Sequence, residues 1–228
     1  MLRDVSRVRR SFFDSLMVVG VKMVKYVLFY HQVRGLGETI RLIFHYAGVE
    51  FEDKRLTQTQ WEAMKPLTPW GQLPILKVDQ KQLSQSSAIY HYLGKQFDLI
   101  GKDDWEEALV LSMIQAQKDF GNECRDFFAV ATGQKPGDKT ALFEQQFKPA
   151  ADKYIPPMER QLKESGSGFF VASGVTYLDF FVAEYVDTLN AMFPQIFQRF
   201  PLLLEHTKRV HALPQLQAYL AKRPKTAV

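Results

Sequence analysis

The sequence predicts an α/β unit followed by an all-helical one. Between residues 26 and 97, short apolar runs of strand length alternate with helical-period segments in the order βαβ, then ββα. That order makes a compact sheet with helices on its faces. Beyond the polar stretch 98–102 the apolar period is helical to the end of the chain. The expected division is an N-terminal extension over 1–22, a first domain over 24–100 and an all-helical domain over 103–228.

Residues 1–22 place Leu2, Val5, Val8, Phe12, Leu16 and Val19 at helical spacing, with arginines between them. Two expectations stay open: a weak mitochondrial transit pattern, or a variable extension ahead of a working start at Met23. Tyr26 to Tyr30 is an apolar, aromatic strand. A helix follows with Leu36, Ile40, Ile43, Phe44 and Ala47 on one face, and Gly48 is its stop. Val49 to Leu56 carries a second strand. Thr57 to Lys65 is a short helix that places Trp61 and Lys65 one turn apart, and Pro66 and Pro69 break it. Pro74 to Val78 and Gln82 to Ser84 are two strands joined by a tight turn. The helix after Gln85-Ser86 closes the unit near Phe97, with Ser86 as its N-cap.

The stretch Trp70-Gly71-Gln72-Leu73-Pro74 and the pair Gln85-Ser86 carry the chemistry of this unit. Gly71 permits a sharp turn. Pro74 cannot donate to a ladder and belongs at a strand start. A cis Leu73-Pro74 bond would aim the N–H and C=O of Leu73 outward, where an extended peptide can pair as an added strand. Free N–H groups at the helix start beside it hold anions such as a carboxylate. A small, extended, carboxylate-bearing peptide suits both features.

In the second half, Asp103 to Val130 reads as one long helix and Lys139 to Glu164 as another, bent at Pro149 and Pro156-Pro157. Thr176 and Asp179 have the spacing of a capping box. They open a helix over Phe180 to Met192 that is apolar on most sides and belongs in the core. Leu202 to His211 and Pro214 to Lys222 are shorter helices.

Composition excludes several function classes. Residues 1–22 hold five basic and two acidic side chains, which leaves the rest of the chain close to neutral. No basic nucleic-acid-binding face follows from that. The single cysteine, Cys124, permits neither an internal disulfide nor dithiol redox chemistry, and reads as a small buried residue. No apolar run reaches the roughly 18 residues of a membrane span. The five histidines are scattered without metal-ligand spacing.

Taken in order and at their spacing, Tyr30, Arg34-Gly35, Trp61 with Lys65, Gly71 to Pro74, Gln85-Ser86 and Thr176-x-x-Asp179 resemble the soluble glutathione S-transferases. The likeness covers Tyr26 to the C-terminus and is greatest to the sigma class, which includes nematode enzymes and haematopoietic prostaglandin D synthase. It implies a thioredoxin-like N-terminal domain, an all-helical C-terminal domain and a cytoplasmic homodimer. It implies glutathione as co-substrate, conjugation to hydrophobic electrophiles for detoxification, and room for glutathione peroxidase activity. By position, Tyr30 would donate its hydroxyl to the glutathione sulfur. Leu73, ahead of a cis Pro74, would pair with the cysteinyl residue, with Gly71 and Gln72 in the same loop. Trp61 and Lys65 would hold the glycyl end, and Gln85 and Ser86 the γ-glutamyl end. Asp119 would reach the other subunit's ligand. His31, Phe127 and Phe128 are candidates for the electrophile pocket.

The chain departs from the prostaglandin synthases at three places. Leu36 replaces an arginine near the sulfur. Gln115 and Lys118 replace two aspartates of a magnesium site, so no metal is expected. Asp126 replaces a tryptophan of the prostaglandin pocket. The alternatives are a glutathione-dependent prostaglandin D isomerase and a non-catalytic, crystallin-like or ligand-storage relative.

Overall fold

The computed structural model describes residues 24–226, and the expectations for residues 1–22 lie outside them. Strand β1 (Tyr26–His31) leads through a short loop into helix α1 (Gly35–Ala47). Gly48 ends α1 in the left-handed conformation that a helix C-cap favours. Strand β2 (Glu52–Leu56) is shorter than expected, because Val49 to Phe51 connect it to α1. Thr57 and Gln60 form a capping box at the start of α2 (Gln58–Met64). A 3₁₀ turn, Lys65–Leu67, then places Pro66 where its missing N–H costs nothing. Strands β3 (Ile75–Val78) and β4 (Lys81–Ser84) form a hairpin, and α3 (Ser86–Gln96) closes the unit.

The sheet order is β2-β1-β3-β4. β1 runs parallel to β2 and antiparallel to β3, with Tyr30 opposite Arg55 and Phe29 opposite Ile75. The antiparallel pairing of β1 and β3 therefore brings the end of β1 and the start of β3 to the same end of the sheet. Tyr30 and Leu73 both stand there.

The helical half contains α4 (Asp104–Glu123), α5 (Arg125–Ala131), α6 (Lys139–Leu142), α7 (Lys148–Ser165), α8 (Tyr177–Met192), α9 (Pro194–Phe197), α10 (Pro201–His211) and α11 (Gln217–Leu220). One expectation is corrected. The single helix over 103–130 is broken at Cys124, whose backbone leaves the helical region. The next helical run passes through a widened π turn over Phe143–Phe147, just ahead of Pro149, which has no N–H to give to the carbonyl four residues back, and Pro156 and Pro157 stand inside α7. Cys124 is fully buried, and burial beside Glu123 pushes its thiol up to about 12, so it is inert at neutral pH.

Helix α8 is the centre of the molecule. It packs on α1 of the first unit and on α10 of its own half. Its N-terminus is held by Asp179, which is fully buried. One carboxylate oxygen accepts from the Thr176 N–H at 2.7 Å and from its hydroxyl. The other accepts from the Phe170 N–H at 3.1 Å and meets His206 Nε2 at 2.9 Å. Among the described residues, no helix is long and apolar enough to cross a membrane.

Candidate functional site

Tyr30 ends the buried part of β1 and is 8% exposed. Its hydroxyl oxygen accepts the Leu36 N–H at 3.0 Å. The carbonyl of the same residue accepts the Tyr90 hydroxyl at 2.7 Å. The Leu36 peptide is thus pinned from both sides, and the Tyr30 hydroxyl proton is left to donate elsewhere. Burial pushes the Tyr30 phenol above its ordinary value; the Leu36 N–H and the nearby Arg41 charge pull the other way without cancelling it. Tyr30 is therefore a neutral donor throughout the physiological range.

Two glycines make room for that ring. A Cβ at Gly35, which has φ +39°, would stand 2.7 Å from the Tyr30 hydroxyl. A Cβ at Gly37 would stand 2.5 Å from Cδ1 and 2.7 Å from Cγ, at the root of the ring where it cannot swing away. Gly37→Ala is expected to destabilise the fold by about 1–3 kcal/mol and to lower turnover by displacing Tyr30. Thermal unfolding and steady-state kinetics check this.

A cleft of about 600 Å³ opens beside Leu36 and Tyr90; Tyr30 does not line it. Its wall in the first unit brings together His31, Trp61, Gly71, Gln72 and Leu73 with Gln85 and Ser86. The Leu73-Pro74 bond is cis. The start of α3 differs from expectation: Ser86 is the first helical residue and Gln85 is the N-cap, with φ 72° and no side-chain capping bond. A non-glycine residue held at positive φ marks a constrained backbone. Gln85 instead gives its Nε2 to Gln72 Oε1 at 3.0 Å, which ties the turn before β3 to the helix start. Lys65 lies at the surface with its stem folded over Gly71, 3.5 Å from where a Cβ would be. The opposite wall is α4, through Gln117, Lys118, Gly121 and Asn122. Asp119 faces neither cavity; it stands exposed on α4.

A second cavity of about 460 Å³ adjoins the first, and Leu36, Phe181 and Tyr185 line both. Tyr30, Arg34 and Phe128 line it, with Leu189 and Met192 of α8. Two of the residues named for the electrophile pocket, Phe127 and His31, do not line this cavity. Phe127 lines neither cavity: it is fully buried in an aromatic cluster with Phe143, Phe147 and Phe193. His31 belongs to the polar cleft, edge-on to Trp61, where burial lowers its pKa and keeps it neutral. The residues missed lie on one face of α8: Phe181, Tyr185, Thr188, Leu189 and Met192 recur at helical spacing. Among the described residues, no group of three or more His, Cys, Asp or Glu side chains is placed to hold a metal ion.

The glutathione S-transferase N-terminal domain family matches residues 26–95 and the C-terminal domain family residues 121–223. Glutathione S-transferase 1 of Ascaris suum is 44% identical over 204 residues, covering 90% of this chain and 99% of that protein. The chain belongs to the glutathione S-transferase family. It is an enzyme of that type, with the thioredoxin-like and all-helical halves of the family fold. A solved Nu-class glutathione S-transferase of Haemonchus contortus aligns with TM-score 0.82 at 40% identity, over 90% of this chain and 100% of that one. A glutathione S-transferase of Necator americanus described as monomeric aligns with TM-score 0.85 at 42% identity, over 89% of this chain and 99% of that one. In this transferase the polar cleft and the apolar cavity meet beside a neutral phenolic donor. That arrangement can hold a small polar thiol next to an apolar reactant.

Proposed function

We propose that the enzyme conjugates the glutathione thiolate to hydrophobic electrophiles, with residues 24–100 holding glutathione and residues 103–228 completing the electrophile pocket. One observation carries this reading: Tyr30 lines the apolar cavity, and its hydroxyl accepts from the N–H of Leu36, which lines both cavities, so its own proton is free to donate. In this reading Tyr30 donates to the sulfur. A free thiol has pKa of about 8.5, and lowering it by two units takes roughly 2.7 kcal/mol, within reach of one well-aimed donor in a dry site. The thiol proton leaves to solvent. The sulfur then forms a bond to carbon as a leaving group departs, or adds to an activated double bond. The peptide backbone of glutathione pairs with Leu73. Trp61 and Lys65 hold its glycyl carboxylate, and Gln85 and Ser86 its γ-glutamyl carboxylate. Gly71 and Gln72 shape the loop between. Phe128 and the α8 face hold the electrophile, with lipid hydroperoxides as a further substrate class.

A cytoplasmic homodimer is part of the proposal. Leu67 and Trp70 are 78% and 70% exposed on the loop that borders the cleft, and Asp119 is exposed on the cleft-lining helix. A partner subunit would cover the first two and receive the third. The class is also proposed: the sequence reads as sigma, while the Haemonchus contortus relative is named Nu at 40% identity. Leu36 in place of an arginine weighs against prostaglandin isomerisation.

Retention on immobilised glutathione followed by conjugation of a chloronitrobenzene tests the function. The expected result is retention, elution by free glutathione and turnover. Retention without turnover would favour the storage protein instead.

A further inference from the structure

We propose that Arg223 and Tyr219, near the C-terminus, are positioning residues for the thiol chemistry, acting through two buried carboxylates on the turn that supports Tyr30. This rests on the reading of Tyr30 as the sulfur's donor.

Glu38 and Arg41 of α1 are both fully buried and pair at 3.0 Å. Arg41 also holds Asp53 at 3.0 Å and the Val33 carbonyl at 3.0 Å. The remaining oxygen of Glu38 accepts the Tyr219 hydroxyl at 2.9 Å and Arg223 Nη1 at 3.1 Å. The same Nη1 reaches Glu184 Oε1 of α8 at 2.7 Å, where His211 Nε2 also stands at 2.8 Å. The other Glu184 oxygen takes Arg34 Nη1 at 3.1 Å, and Arg34 also holds Asp187 at 2.7 Å. One unbroken chain of charges thus runs from the C-terminal segment to Arg34.

Arg34 is the residue before α1, two ahead of Leu36. Its carbonyl accepts the Glu38 N–H at 3.0 Å. Arg34 and Glu184 also line the apolar cavity together with Tyr30. The turn that offers the Leu36 N–H to Tyr30 is therefore held through the Arg34 side chain by Glu184 and Asp187. It is held through the helix by Glu38. Arg223 is the cation that Glu38 and Glu184 share. Without it, Glu38 keeps Arg41 and Glu184 keeps Arg34, but each buried carboxylate loses one of its cations and is drawn toward the one that remains. Arg34 and the Leu36 peptide move with them. A hydroxyl that accepts a good hydrogen bond is a stronger donor, so losing the Leu36 bond weakens Tyr30 toward sulfur.

The test uses the full chain as Arg223→Gln, Arg223→Lys and Tyr219→Phe. The readouts are the thiol pKa of bound glutathione, from the ultraviolet thiolate band, and kcat and KM for glutathione against pH. For Arg223→Gln the expected result is a thiol pKa raised by roughly 0.5–1 unit and kcat reduced about two- to sixfold at pH 6.5. The deficit should close at high pH, where the thiol ionises unaided, and KM for glutathione should stay within about twofold. Arg223→Lys should recover part of the loss. Tyr219→Phe removes one bond to Glu38, should stay folded, and should show a smaller shift in the same direction. A lowered wild-type thiol pKa that Arg223→Gln and Tyr219→Phe both leave unchanged would overturn this proposal alone. A wild-type thiol pKa equal to that of free glutathione would sink the Tyr30 reading, and this one with it.

Discussion

Tyr30→Phe is expected to lower kcat at pH 6.5 by about 50-fold while KM for glutathione changes little. The phenyl ring fills the same space against Gly35 and Gly37, so the fold and the cleft are kept. What is lost is the hydroxyl, both the proton proposed to donate to sulfur and the oxygen that accepts the Leu36 N–H. At pH 6.5 a thiol of pKa about 8.5 is roughly 1% ionised, against about half for one of pKa about 6.5. The rate should follow that fraction, because the thiolate is the nucleophile. The mutant's activity should accordingly rise with pH and approach the wild type above about pH 9. Tyr30 itself adds no ionisation to this profile, since burial holds its phenol above the ordinary value. A pH series of kcat for both proteins checks each part. A deficit that is constant with pH would mean Tyr30 acts on something other than thiol ionisation.

The largest stability loss is expected at Asp179→Ala. Asp179 satisfies the backbone N–H groups of Phe170 and Thr176, the Thr176 hydroxyl and the His206 ring, all buried. Alanine strands these donors together at the start of α8, the helix that joins the two halves. Stranding a buried donor costs about 1–3 kcal/mol, more where its acceptor was a carboxylate, and the penalties of these neighbouring donors overlap rather than add in full. Of a total stability of about 5–15 kcal/mol, that is a large share. Asp179→Asn keeps one acceptor oxygen and turns the other group into a donor facing donors, so it should lose less than alanine but still more than a surface change. Chemical denaturation with unchanged m-values checks both.

The polar cleft was legible in the sequence because its parts are contiguous. Gly71 to Pro74 and Gln85-Ser86 flank one hairpin, so their spacing in the chain is nearly their spacing in space. The place of Tyr30 at the end of an aromatic strand was legible, but that place alone reads equally as packing, and its role comes only from the resemblance. The apolar cavity was not, because its lining comes from the turn before α1, from Phe128 and from α8. Phe180 to Met192 reads as a core helix since it is apolar on most sides, and only the tertiary packing says which face is left open. Phe127 and Phe128 are adjacent and identical, and nothing local says which one turns inward. The break at Cys124 is preceded only by Gly121, three residues earlier and inside the helix, with no proline to announce it. The ion network could not be read at all: Glu38 meets Tyr219 and Arg223 across most of the chain, and no local pattern encodes such a pairing.

The most direct test is a crystal structure of the enzyme with glutathione bound. The expected result is the tripeptide extended along Leu73 with its sulfur in hydrogen-bonding reach of Tyr30 Oη, at the junction beside Leu36. A fully occupied tripeptide whose sulfur points away from Tyr30 would contradict the account.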